Sequence, residues 1–175
     1  MSQPFESNTP FTPRKEPQFT IAPARFPEDL HVVSILFTAY TGSLPIDLAY
    51  QDFTVELNSL PGKYAPPTGE LLLARTFTGE PIGCVAVRPL PGLPDCCEMK
   101  RLYTLPSGRG LGIGRALVKA VLEVATRLGY TEMKLDTLPS MTAAIKLYSE
   151  EGFGKTEAYY ATPIAETVFL ARRLC

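Results

Sequence analysis

The chain has 175 residues, 45% of them hydrophobic and 20% charged, with a formal net charge of −1, which suits one well-packed domain and is short for two. That near-neutral balance implies no polyanionic partner such as nucleic acid, and no apolar run approaches the roughly 18 residues of a membrane span. The N-terminus lacks a basic segment followed by an apolar core, so a cytoplasmic protein without membrane contact is expected.

Residues 1–17 hold Pro4, Pro10, Pro13 and Pro17 among polar residues with no sustained period, which reads as a flexible tail ahead of a single domain over 18–175. "FTIAPA" is a short strand. Pro27, Glu28 and Asp29 open a helix that runs to about Tyr40, with acidic residues near its N-terminus, and Gly42 to Pro45 break it. A second helix is expected from about Leu48 to Leu60, ended by Pro61 and Gly62. The pattern then changes to strands: "ELLLARTF" and "IGCVAVRPL", joined by a turn over Thr78–Glu80, form a hairpin. After the loop "PLPGLPD", "CCEMKRLYT" is the next strand.

A glycine-rich stretch precedes the clearest helix, in which Leu117, Ala120, Val121, Val124 and Leu128 share one face and Lys119, Glu123 and Arg127 the other. Gly129 stops it. "YTEMKLDTL" is a strand, and Pro139 starts a helix whose Met141, Ala144, Ile145 and Tyr148 share a face, closed by Gly152. "FGKTEAYY" and "ETVFLARRL" end the domain as two antiparallel strands. The order is β-α-α-β-β-β-α-β-α-β-β. Strand, crossover helix and strand from Cys96 to Asp136 imply one parallel pair in an otherwise antiparallel sheet, hence an α+β fold with a mixed sheet flanked by helices.

The four cysteines, Cys84, Cys96, Cys97 and Cys175, form no CxxC pair, and the single histidine, His31, sits in the first helix. This argues against zinc and against a histidine-based nucleophilic centre. Buried reduced thiols and no metal are expected.

"SGRGLGIGRA", residues 107–116, places glycine at 108, 110, 112 and 114. The P-loop would need Gly-Lys-Ser/Thr, and the dinucleotide fingerprint would need glycine where Ile113 or Arg115 stands; both fail. What remains is a strand, a loop and a helix whose first turn is Gly112 to Arg115. Uncapped N–H groups and the positive end of the helix dipole there can bind an anion, glycine allows close backbone approach, and Arg109 and Arg115 add charge. A pyrophosphate is the natural guest.

"RGLGIG", Arg109 to Gly114, resembles the [QR]xxGx[GA] motif of the GCN5-related N-acetyltransferases, the GNAT superfamily. "EMKRLYTLP" is similar to the strand before that loop, and "AAIKLYSEEGF" to the family's helix signature, with Ala144, Tyr148, Gly152 and Phe153 in place. The resemblance implies acetyl-CoA as cosubstrate, its pyrophosphate held by Arg109, Gly110, Leu111, Gly112, Ile113, Gly114 and Arg115. It also implies a gap between the fourth and fifth strands, in which the backbone of Leu102, Tyr103 and Thr104 pairs with the pantetheine and can stabilise a developing oxyanion. One position departs: the asparagine that many members carry seven residues before the tyrosine is Met141, so Thr137 or Ser140 is expected to help hold the CoA arm.

An amine acceptor has a pKa near 10 and must lose a proton before it attacks. Glu98, where several GNAT enzymes keep a catalytic glutamate, is the expected base, directly or through water; an ordinary strand glutamate paired with Lys100 is the alternative. Period-two alternation puts Glu98 on one face with Lys100, Leu102 and Thr104. Tyr148 matches the tyrosine that protonates the departing thiolate. Tyr40, Tyr64 and Tyr159 are expected at the acceptor, with Tyr50, Gln51, Lys63 and Tyr160 nearby, while Arg75, Arg88 and Arg101 are candidates for a substrate carboxylate. The resemblance thus implies direct acetyl transfer to the amine of a small molecule or amino acid, with a protein lysine, a protein N-terminus or a non-catalytic CoA sensor as alternatives. It leaves a homodimer open.

Overall fold

A computed structural model describes residues 18–47 and 52–175. The expected tail over 1–17, Tyr50 and Gln51 lie outside the described residues. The elements are β1 (Phe19–Pro23), α1 (Leu30–Gly42), α2 (Phe53–Asn58), β2 (Glu70–Thr76), β3 (Pro81–Leu90), β4 (Leu93–Thr104), α3 (Ile113–Arg127), β5 (Glu132–Thr137), α4 (Thr142–Glu150), β6 (Gly154–Lys155) and β7 (Val168–Arg173). The sheet runs β1-β2-β3-β4-β5-β7-β6. All neighbours are antiparallel except β4 and β5, the parallel pair joined through α3.

The alternation of β2 divides the core between two layers. Leu72 and Ala74 face α3, packing with Val85, Val87, Leu117 and Val121. Leu71 and Leu73 face α1, packing with Val33, Leu36, Phe37 and Tyr64. Asp29 tethers α1 to the sheet: its carboxylate accepts from the Arg25 backbone N–H at 2.8 Å and pairs with Arg75 of β2 at 2.6 Å.

Four expectations are corrected. The second helix is six residues long, starting at Phe53, because Asp52 has φ +54°, where a right-handed helix cannot continue. Helix α4 starts at Thr142, three residues after Pro139, and leaves Met141 outside as its cap. The strand "FGKTEAYY" shrinks to Gly154–Lys155; Tyr159 and Tyr160 leave the sheet edge and stack at right angles on Phe169. Of the thiols, Cys84 and Cys97 are buried, whereas Cys96 is half-buried and Cys175 exposed.

Strand β4 carries the decisive irregularity. Cys84 pairs with Tyr103 but Ala86 with Lys100, so β4 has one extra residue there, and Arg101 has φ +57°. This bulge resets the alternation. Cys97, Met99 and Leu102 face the α3 layer, whereas Tyr103 and Leu105 pack in the α1 layer. The expected common face of Glu98, Lys100, Leu102 and Thr104 is therefore wrong: Glu98 and Lys100 share an ion-pair network with Arg88 and Asp136, while Leu102 turns to the α3 layer.

Arg101 itself enters the α1 layer, its side chain 3% exposed. It pairs with Glu56 of α2 at 2.5 Å and stacks on Phe53, 5.5 Å from the ring centre. Glu56 also accepts from the Tyr64 hydroxyl. Glu56→Gln is expected to cost about 2 kcal/mol in urea denaturation, because a buried cation loses its counter-charge while one hydrogen bond survives.

Candidate active site

Strands β4 and β5 are paired only from Cys96–Glu132 to Glu98–Lys134. Beyond that point β5 continues against β7 as far as Thr137, and β4, bent by its bulge, diverges. A cleft of about 590 Å³, solvent at its mouth included, opens between them. Lys100, Arg101 and Leu102 line one wall, Asp136 and Thr137 the other, and Tyr148 of α4 and Tyr40 of α1 face it.

Tyr148 is buried and sits at 63° to Phe153, with ring centres 5.9 Å apart. Its hydroxyl has no hydrogen-bond partner among the described residues. Burial, and then the nearby Tyr40 and Asp136, push its pKa far above the ordinary 10.0, so the phenol keeps its proton. A protonated hydroxyl aimed at a cleft is equipped to donate.

The glycine stretch connects β4 to α3, and its glycines divide by role. Gly108 is a packing residue: a Cβ would lie 2.8 Å from Ile113 Cδ1 and 3.1 Å from Thr104 Cγ2. Gly114 lies beside Leu147 of α4. Gly110 and Gly112, at φ +78° and +77°, hold left-handed conformations, and a Cβ on either would meet nothing within 4 Å. Gly112 caps α3 without a side-chain hydrogen bond, so the first-turn N–H groups of Ile113, Gly114 and Arg115 lack the intrahelical partners that a helix start never supplies. Leu111 is exposed beside them.

The two arginines of this loop differ. Arg109 is exposed and makes no ion pair among the described residues, whereas Arg115 reaches back to Glu150 and Glu151 of α4. Thr137 is buried, its hydroxyl 3.6 Å from Met141 Sδ; Ser140 is exposed in the turn before α4.

A second cleft of about 880 Å³, measured in the same way, lies on the α2 side and shares Lys100 and Arg101 with the first. Glu98 and Arg88 form its floor, with Tyr159 and Tyr160 on one side. Glu98 is 1% exposed. Its Oε2 accepts from Arg88 Nε at 2.8 Å, and its Oε1 accepts from the Tyr159 hydroxyl at 2.9 Å. Lys100 stands 3.6 Å from Oε1 and 2.9 Å from Asp136, so it forms the wall between the clefts. Burial and then the Glu98 charge push the Tyr159 pKa well above 10.0.

The structure thus brings Glu98, Tyr159, Tyr40 and Tyr148 to two adjoining clefts and leaves Tyr64 out: that ring is buried against Phe37 and its hydroxyl is committed to Glu56. Lys100 as the dividing wall was missed, because its partner Asp136 lies on another strand 36 residues away. Among the described residues, no three His, Cys, Asp or Glu side chains are grouped to hold a metal, and no helix is long and apolar enough to cross a membrane.

The model of the acetyltransferase (GNAT) family matches residues 35–154. An uncharacterized N-acetyltransferase of Schizosaccharomyces pombe is 42% identical over 156 residues, covering 89% of this chain and 95% of that protein. One of Dictyostelium discoideum is 29% identical over 84% of this chain and 95% of its own length. The structure of an acetyltransferase of Salmonella typhimurium with its cofactor acetyl-CoA superposes with a TM-score of 0.67 at 19% identity, covering 90% of this chain and 94% of that one. The parallel strands that part beyond Glu98, the open glycine loop at the start of α3 and the family match over most of the chain lead to one conclusion: the chain belongs to the GNAT family and is an N-acetyltransferase.

Proposed function

We propose that the protein moves an acetyl group directly from acetyl-CoA to the amine of a small molecule or amino acid. The observation that carries this reading is the meeting of two clefts at Lys100 and Arg101, with a proton donor, Tyr148, in one and a carboxylate, Glu98, in the other.

The residues present fit acetyl-CoA. Space lies open at Gly110 and Gly112, the α3 start is uncapped and Arg109 carries an unengaged charge, which suits a pyrophosphate. The β4 backbone from Leu102 through Tyr103 to Thr104, which β5 does not pair, can bind the amides of the pantetheine arm. Thr137 and Ser140 stand where the family asparagine is absent. Arg115 is paired with Glu150 and Glu151, which offset its charge, so Arg109 is the cation proposed to meet the pyrophosphate. When bound, acetyl-CoA supplies an acetyl thioester.

The chain's own residues then manage protons. An acceptor arrives as an ammonium and must give up a proton. Glu98 faces the acceptor cleft, and its Oε1, with one short bond from Tyr159, keeps a lone pair for an intervening water. Tyr148 faces the donor cleft and gives a proton to the departing thiolate. Base and acid thus occupy opposite sides of the reacting atoms.

Release of CoA thiol from acetyl-CoA, measured across a panel of small amines, amino acids and peptides, tests the reading. Turnover with small amines is the expected result; release with peptides alone would replace the small acceptor by a protein one. Glu98→Gln is expected to lower kcat by about 10²-fold with little change in acetyl-CoA affinity, and near-normal turnover would remove Glu98 from the mechanism.

A further inference from the structure

The arginines near the sheet have separate fates. Arg75 is paired with Asp29, Arg101 with Glu56, and Arg115 with Glu150 and Glu151. Arg88 is different. It rises from β3 into the acceptor cleft and engages Glu98 Oε2 through Nε and Nη2. Nη1 makes no hydrogen bond among the described residues and so keeps both of its N–H groups for another acceptor, on a side chain 24% exposed. Lys63, on the turn Gly62–Tyr64, lines the same cleft, is exposed, and makes no hydrogen bond or ion pair among the described residues. Neither Lys63 nor Arg88 lines the donor cleft. The cleft therefore presents two cationic donors that the donor cleft does not share.

We infer that Lys63 and Arg88 form a carboxylate-binding subsite, so that the acceptor is a small amine bearing a carboxylate at its other end. The inference rests on the proposed acetyl transfer and specifies its substrate class. A guanidinium edge with two free N–H groups beside a mobile ammonium suits a planar monoanion. Asp52, an exposed carboxylate on the same rim, disfavours a single group that carries two charges, such as a phosphate monoester, more than a carboxylate group with one. A polycationic amine gains nothing from the unpaired Lys63 on this rim and is disfavoured there by like-charge repulsion. Glu98 has a double part: it holds Arg88 through Nε and Nη2 and so leaves Nη1 uncommitted, and its own charge is covered by that arginine.

The test pairs acids with their neutral twins. Glycine, aspartate, glutamate and 4-aminobutyrate are each compared with the corresponding carboxamides as acceptors, using wild type and Lys63→Glu. In parallel, succinate, succinamide and inorganic phosphate are titrated into CoA-saturated protein while the Arg88 Nε–H and Lys63 amide signals are followed by NMR. Expected are a kcat/KM for acids about tenfold or more above that for amides, and a KM for acids raised about tenfold by Lys63→Glu. Succinate should shift both signals in wild type and do so more weakly in the variant.

Amides acetylated as well as acids, with Lys63→Glu affecting both alike, would overturn the subsite and leave acetyl transfer standing. If no panel amine is acetylated, the small-acceptor reading loses its support and the titration alone decides the subsite. Saturable shifts with succinate uphold it; no shift, equal shifts with succinamide, or tighter binding of phosphate overturn it.

Discussion

Tyr148→Phe is expected to lower kcat about 10³-fold while leaving acetyl-CoA affinity within about twofold. The change removes a single oxygen. The ring remains buried at 63° to Phe153, so packing and fold survive. Burial is the largest cause of the raised pKa of this phenol, followed by Tyr40 and Asp136, and each favours the neutral form over the ordinary 10.0. A group whose pKa is raised stays protonated as pH climbs, so Tyr148 remains a competent donor through pH 10.0, and any alkaline loss of kcat below that pH belongs to another group. For the same reason burial of this tyrosine stabilises the fold fully below pH 10.0 and progressively less above it. Steady-state kinetics of wild type and variant from pH 6 to 10, with the acetyl-CoA dissociation constant measured alongside, check the assignment. If Tyr148 were only a core aromatic, the variant would lose some stability and keep its turnover. That outcome would end its role as the acid.

The order of elements was legible because each carried its own period. The stripe from Leu117 to Leu128 appears as α3, and the short apolar run of "ELLLART" as β2. The glycine spacing was legible for a different reason: positive φ at Gly110 and Gly112 is a demand on single residues, which residue type alone records. Features that depend on a distant partner were not legible. Counting along β4 puts Glu98 and Leu102 on one face, and one extra residue at Arg101, held by Glu56 from 45 positions away, separates them. Counting back from the turn between β3 and β4 fails as well, because a second irregularity between Pro89 and Leu90 brings Arg88 opposite Glu98. Charge partners are long-range in the same way. Arg75, Arg88, Arg101 and Arg115 look alike in sequence, and only the tertiary fold leaves Nη1 of Arg88 without a hydrogen bond among the described residues. Tyr159 left its expected strand because two interactions, the stack on Phe169 and the bond to Glu98, hold it over the cleft.

Gly112→Glu is expected to abolish the thermal stabilisation that acetyl-CoA confers on the wild type. At a ligand concentration about 100 times Kd, binding linkage adds about 2.7 kcal/mol to the stability of the folded state. The variant should show no shift, because its Kd rises about 100-fold or more when a carboxylate occupies the site proposed for the pyrophosphate. The position admits this reading. A Cβ at Gly112 meets no atom within 4 Å, so the new side chain begins in open space, where the pyrophosphate is proposed to lie. Its charge lies at the positive end of α3, which it can itself cap. The backbone supplies the opposing effect, since φ is +77° there and a non-glycine residue in that region costs about 1 kcal/mol. Gly112→Ala separates the two: it carries the same strain without the charge, and should lower the melting temperature of the free protein while retaining most of the acetyl-CoA shift. Arg109→Ala removes the unengaged cation and should weaken binding less than the reversed charge does. A Gly112→Glu protein that folds and still gains full stability from acetyl-CoA would mean that the pyrophosphate lies elsewhere, and the helix start would then be only a turn rich in glycine.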